Sequence, residues 1–107
     1  MGGRPRKVVW TVQARTMLDE AVAYAGEDSM DAAPRLLDKA LDAAASLATL
    51  SERGRRVPEI DDTNTRELFV KRYRLIYQVQ NTEIHVLAFL HGARDFATWR
   101  QATREGR

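Results

Sequence analysis

Two strongly β-forming segments, residues 74–80 and 83–91, are separated by only Asn81 and Thr82. A gap this short permits an antiparallel hairpin and nothing else, because parallel neighbours need a crossover of about a dozen residues or more. A two-residue loop sets Gln80 against Glu83. It then predicts Gln78 opposite His85, Ile76 opposite Leu87 and Arg74 opposite Phe89, with Arg72 near His91. Directly opposed residues share a face of the sheet. One face therefore collects Leu75, Tyr77, Val79, Ile84, Val86, Ala88 and Leu90, and is the face to be covered. The other is polar at the turn and gathers Arg72, Arg74, Phe89 and His91 at its far end.

The rest of the chain supplies the cover. Residues 7–12 are rich in β-branched and aromatic side chains and read as a strand. Ala14, Met17, Leu18, Ala21, Val22 and Ala25 then form one helical stripe, with Gly26 as its expected stop. A second stripe runs through Ala33, Leu36, Leu37, Ala40, Leu41, Ala44, Leu47 and Ala48. Ser29 or Asp31 is its cap, and Pro34 favours Asp31 because proline is tolerated in a first turn. The few residues between the stripes predict a helical hairpin. A charged loop over residues 51–59 and a turn at residues 61–64 lead into a strand at residues 66–70, ahead of the hairpin. A last helix is expected over residues 95–103. The fold class is α+β: a small, mostly antiparallel sheet with an N-terminal helical hairpin packed on one face and a short C-terminal helix.

At 107 residues the chain is read as a single domain, with residues 1–7 as a flexible basic leader. It has no Cys and two His, which argues against a disulfide scaffold and a zinc site. No stretch approaches the about 20 apolar residues of a membrane span, and nothing reads as a signal peptide, so the expected location is cytoplasmic. The net charge of +2 is unevenly spread: residues 13–50 carry −4 and residues 51–107 carry +3. A local basic surface attracts anions even when a distant acidic face balances the total.

The candidate site is the far end of the mixed face. A mid-strand arginine beside an aromatic ring and a histidine suits a phosphate or polyanion. The competing reading pairs Arg74 with Glu59 or Glu67 on a solvated face and makes His91 an ordinary strand-end residue. Arg53, Arg55 and Arg56 form a basic loop, for which simple solvation is the competing reading. Trp99 reads as a packing anchor. Ile76, Leu87 and Phe89 are expected as apolar groups on the uncovered face, and such a patch marks a binding surface.

Four segments in order carry a resemblance: Gly54-Arg-Arg-Val-Pro-Glu-Ile60, Arg66-Glu-Leu-Phe-Val70, Tyr73-Arg-Leu-Ile-Tyr-Gln-Val79 and Val86-Leu-Ala-Phe-Leu-His-Gly-Ala-Arg-Asp95. Together they resemble the RelE/ParE superfamily of toxins from type II toxin–antitoxin, or plasmid stabilisation, modules. The resemblance implies a growth-inhibiting toxin neutralised by a cognate antitoxin. Its target is either DNA gyrase, as for ParE-like members, or mRNA in the ribosome, as for RelE-like members, which cleave without metal. In the second case Arg74 would bind the scissile phosphate and Glu59 would act as base, with His91 or Arg94 as acid. Arg72, Phe89, Arg55, Arg56, Leu87 and Ile76 would bind the antitoxin or target. No cofactor and no metal are implied, and both homo-oligomers and a hetero-oligomer with the antitoxin are compatible. Lys71 is the only lysine after Lys39, so the lysine cluster of RelE itself is missing, and the His-Gly-x-Arg-Asp exit looks more like the ParE branch. The expectation is a ParE-like gyrase poison, with an mRNA endonuclease and a non-toxic adaptor of the same fold as alternatives.

Overall fold

The computed structural model describes residues 4–105, without the side chains at positions 93, 94, 104 and 105. Arg6 is already anchored. Its backbone N–H donates to the Ala48 carbonyl at 2.8 Å and its Nε to the Gln80 carbonyl at 2.7 Å. The expected flexible leader is therefore corrected at its C-terminal end, while residues 1–3 lie outside the described residues.

Strand β1 (Lys7–Trp10) passes directly into helix α1 (Val12–Asp28). Thr11 makes this abrupt change possible, because its hydroxyl accepts the Ala14 N–H at 3.0 Å. That satisfies one of the donors a helix start leaves unpaired. The helix runs past Gly26, where the sequence reading placed a stop. A Cβ at that position would meet the Ala33 Cβ at 3.4 Å, so the glycine serves the approach of the two helices instead. Asp31 stands at the N-cap of helix α2 (Ala32–Ser46), though without a side-chain capping bond, and Pro34 falls in the first turn.

Strands β2 (Arg55–Arg56), β3 (Thr65–Val70), β4 (Tyr73–Val79) and β5 (Glu83–His91) follow, and helix α3 (Gly92–Glu105) is the last element among the described residues. The five strands form one sheet in the order β1-β5-β4-β3-β2. The β1–β5 pair is parallel and the other three pairs are antiparallel.

The hairpin obeys the expected register only near its turn, where Gln78 faces His85 and Val79 faces Ile84. A β-bulge between Ile76 and Tyr77 on one side leaves Leu87 as the extra residue on the other, so Ile76 pairs with Ala88, Leu75 with Phe89, Arg74 with Leu90 and Tyr73 with His91. One extra residue transfers every later side chain to the opposite face. Phe89 and His91 therefore join Leu75 and Tyr73 on the face of the helical hairpin. Ala88 and Leu90 move to the other face, beside Ile76 and Arg74.

Both faces are consequently buried. The main core packs Ala14, Leu18, Leu36, Ala40, Ala44 and Leu47 of the helical hairpin against Leu75, Tyr77, Ile84, Val86 and Phe89. A second core on the opposite face joins Ile76, Ala88 and Leu90 to Val57, Phe96 and Trp99. The expected uncovered apolar patch does not exist. Ile76 is fully buried and Leu87 packs, half-buried, against the second core, while Phe89 is buried in the first. Helix α3 is the cover, and Trp99 is the packing anchor it was read to be.

Candidate functional site

Pairing of β3 with β4 sets Glu67 opposite Ile76 and Phe69 opposite Arg74, so these four side chains share the α3 face. Pairing of β2 with β3 adds Arg55, opposite Glu67. The result is a chain of alternating charges. The Arg55 Nε donates to one carboxylate oxygen of Glu67 at 2.7 Å, and the Arg74 Nε donates to the other at 2.6 Å. The second end of the Arg74 guanidinium reaches Glu59, with Nη2 to Oε1 at 2.9 Å and Nη1 to Oε2 at 3.3 Å. Glu67 is fully enclosed and the Arg74 side chain is 11% exposed, whereas Glu59 remains 46% exposed.

The ring of Phe96, from α3, lies 4.6 Å from the Arg74 guanidinium carbon. At the rim, the Arg55 guanidinium stands 5.3 Å above the ring of Phe69, which is largely exposed. Hydrogen bonding from Arg74 holds the Glu59 carboxyl below its usual pKa against a smaller opposing effect of burial. Burial pulls the Arg74 pKa down, but the hydrogen bonds it donates to Glu59 and Glu67, with their negative charges, outweigh it and leave it raised. Both groups are thus fixed as ions by each other.

The expectation of Arg74 on a bare sheet face is corrected. The arginine does project opposite the helical hairpin, but α3 and two carboxylates close over it. Glu59 is beside Arg74, as a base–phosphate pair would require. His91 is not, because the bulge carries it to the opposite face. There its ring lies 5.0 Å from Tyr73, which stacks on Phe89 at 4.7 Å and 10°. Arg72 shares a surface hollow with His91 and Tyr24. Arg55 and Arg56 are exposed and alternate between the two faces, with Arg56 opposite Arg66. The side chain of Arg94 lies outside the described residues.

Glu67 is the residue that sequence reasoning undervalued. Charged residues at strand positions are expected in solvent, and only its neighbourhood to Arg74 across a two-residue turn signalled the pair. Phe96 was not singled out at all, although it sits on the same helical turn as Trp99. Among the described residues no group of three or more His, Cys, Asp or Glu could hold a metal ion, and no helix is long and apolar enough to cross a membrane.

Chemically, two arginines facing two carboxylates form a cluster of zero net charge, in which the enclosed Arg74 has both sides of its guanidinium committed to carboxylates and not to a phosphate. A carboxylate held below its usual pKa is also a weaker proton acceptor than a general base tuned toward neutrality.

The fold has known counterparts. A chromosomal ParDE toxin–antitoxin system from P. aeruginosa contains a chain that superposes with a TM-score of 0.69 at 16% identity, covering 83% of this chain and 98% of that one. A chain of the RelBE2 toxin–antitoxin complex from Mycobacterium tuberculosis gives a TM-score of 0.62 at 22% identity, covering 86% and 97%. No curated protein matches the sequence. The family model described as "ParE toxin of type II toxin-antitoxin system, parDE" matches residues 8–96. That span takes in the helical hairpin, the sheet except Lys7 at the start of β1, and the Phe96 anchor, and the chain therefore belongs to the ParE toxin family of type II toxin–antitoxin systems.

Proposed function

We propose that this toxin inhibits growth by binding a protein target of the DNA gyrase type, and that it does not cut RNA. A cognate antitoxin keeps it silent until the pair is separated, which is the basis of plasmid stabilisation, and its place of action is the cytoplasm. One observation carries the reading: Arg74 is sealed by Glu59, Glu67 and Phe96, while His91 lies on the other side of the sheet. Metal-free RNA cleavage needs a base, a free cation for the phosphorane charge and an acid converging on one phosphate. Here the cation is neutralised, and His91, one of the two acid candidates, is separated from it by the sheet. A protein-binding poison requires none of that convergence.

The test is inducible expression of the full chain with two readouts, DNA ends covalently linked to gyrase and the 5′ ends of cellular mRNA. Growth arrest with gyrase-linked breaks and unaltered RNA ends is the expected result, reversed by co-expression of the protein encoded next to it. Codon-phased RNA cuts without DNA breaks overturn the proposal in favour of an endonuclease. Normal growth with neither signal overturns it in favour of a non-toxic adaptor.

A further inference from the structure

Residues of α1 and α3 meet the stacked Tyr73 and Phe89 rings around one hollow of about 530 Å³. Its position and size fit a ligand-binding cleft, since such clefts span roughly 300–1,000 Å³. Glu20 enters from α1 and Asp95 from the first turn of α3. Both are exposed, and among the described residues neither has an ion-pair partner. No Lys or Arg is found among the described residues lining this hollow. Around the two carboxylates stand Tyr24, Tyr73, Phe89 and His91. Tyr24 is 70% exposed, a large aromatic surface left in water.

We propose that this cleft binds an arginine side chain presented by a partner protein and flanked there by apolar residues. A guanidinium is planar, stacks on aromatic faces and forks onto carboxylates, so it matches both halves of the lining at once. Burial first, then the nearby Tyr24 and Asp95, push the pKa of the Tyr73 hydroxyl up, so it stands in the lining as a neutral group. The cleft is larger than one guanidinium, and Met17, Leu90 and Trp99 supply an apolar lining for the residues beside the arginine. Beyond Tyr73 the surface continues into a second hollow, where Lys71 and Arg72 offset Glu27 and Asp28. The cationic group therefore belongs at the α1–α3 end.

The inference rests on the protein-binding reading above, but its test is independent of toxicity. The probes are the blocked peptide Leu-Arg-Leu and its isosteric counterpart with citrulline in place of arginine. Both are titrated into the full chain by calorimetry, with amide NMR shifts to locate the contact. The arginine peptide is expected to bind at least about tenfold more tightly than the citrulline peptide and to shift the amides of Tyr73, His91 and Asp95. In the Glu20→Gln/Asp95→Asn double variant that preference is expected to fall to about unity, with an unchanged far-ultraviolet spectrum because both positions are exposed. Equal affinity of the two peptides, shifts confined to another surface, a preference that survives in the double variant, or no binding of either peptide each overturns the proposal. None of these outcomes alters the DNA-break and RNA-end readouts, so failure here and failure of the toxin reading remain distinguishable.

Discussion

Glu67 makes no contact with solvent and still carries an arginine on each carboxylate oxygen, Arg55 from the rim and Arg74 from the interior. A buried ion pair does little for net stability compared with an apolar replacement, yet removing one partner strands the other charge. Glu67→Ala leaves Arg74 with only the half-exposed Glu59, and a loss of about 3 kcal/mol in urea unfolding is expected. Glu67→Gln, which keeps the volume and one acceptor oxygen, should lose less. Glu59 gives a pH signature. A carboxylate whose pKa drops on folding stabilises the folded state fully above its ordinary value of 4.5, and that contribution disappears as pH falls through the lower folded value. Thermal unfolding of Glu59→Gln should therefore start below the parent at neutral pH, and the difference should close only in acid, below about 4.5. A difference that persists unchanged in strong acid would mean that Glu59 acts through packing and not through its charge.

Among the elements, β2 is the shortest, two arginines long, and what holds it is a backbone lock on Gly54. The Gly54 N–H donates to the Tyr77 hydroxyl at 2.9 Å, that hydroxyl donates to the Ser51 carbonyl at 2.8 Å, and Arg66 donates to the Gly54 carbonyl at 2.8 Å. A Cβ at position 54 would collide with the Glu67 carbonyl oxygen and stand 2.8 Å from the Tyr77 hydroxyl. Gly54→Ala is thus expected to cost about 2–3 kcal/mol by overpacking against backbone that cannot move aside. Tyr77→Phe, which orphans the buried Gly54 N–H and the part-buried Ser51 carbonyl, should cost about 1–2 kcal/mol and raise hydrogen exchange at the Gly54 amide. These elements also mark how far the sequence can be read. The helices and the long strands were legible because their apolar spacing has one solution each. Strand β2 was not, because two exposed arginines carry no period. The half of the hairpin next to Asn81-Thr82 was legible because the turn fixes register locally. The other half was not: Leu87-Ala88-Phe89-Leu90 is apolar at every position, so alternation cannot reveal an extra residue within it. That one bulge turned Phe89 and His91 to the other face and dissolved the cluster expected around Arg74. The Arg74–Glu59 and Arg74–Glu67 pairs were legible as a competing reading, because a strand arginine needs counter-charges.

At the scale of the whole molecule, one sheet separates two cores of unequal depth. The helical hairpin covers one face with two long stripes, whereas α3 covers the other through Phe96 and Trp99, whose rings meet edge to face at 5.6 Å. A layer held by two anchors opens at lower free energy than one held along its whole length. Native-state hydrogen exchange should therefore show α3 exchanging by a partial opening while α1, β4 and β5 exchange with global unfolding. Trp99→Ala removes one of the two anchors, a change that in buried sites costs about 3–5 kcal/mol. Because α1 reaches that layer through the partly buried Met17 while its main stripe packs on the other core, the loss should accelerate exchange in α3 well before it affects α1. Equal acceleration in α1 and α3 would show a single cooperative unit instead. The distinction bears on what the protein can bind. The same helix supplies Phe96 to the roof over Arg74 and Asp95 to the acidic cleft beside Tyr73. A partner that seats an arginine in that cleft joins α1 to α3 across the edge of the sheet. By linkage it should also raise the free energy of the α3 opening, so that the roof over Arg74 closes more tightly in the bound state. Hydrogen exchange of α3 with and without the Leu-Arg-Leu peptide reads this coupling directly, and slower exchange in its presence is the expected outcome.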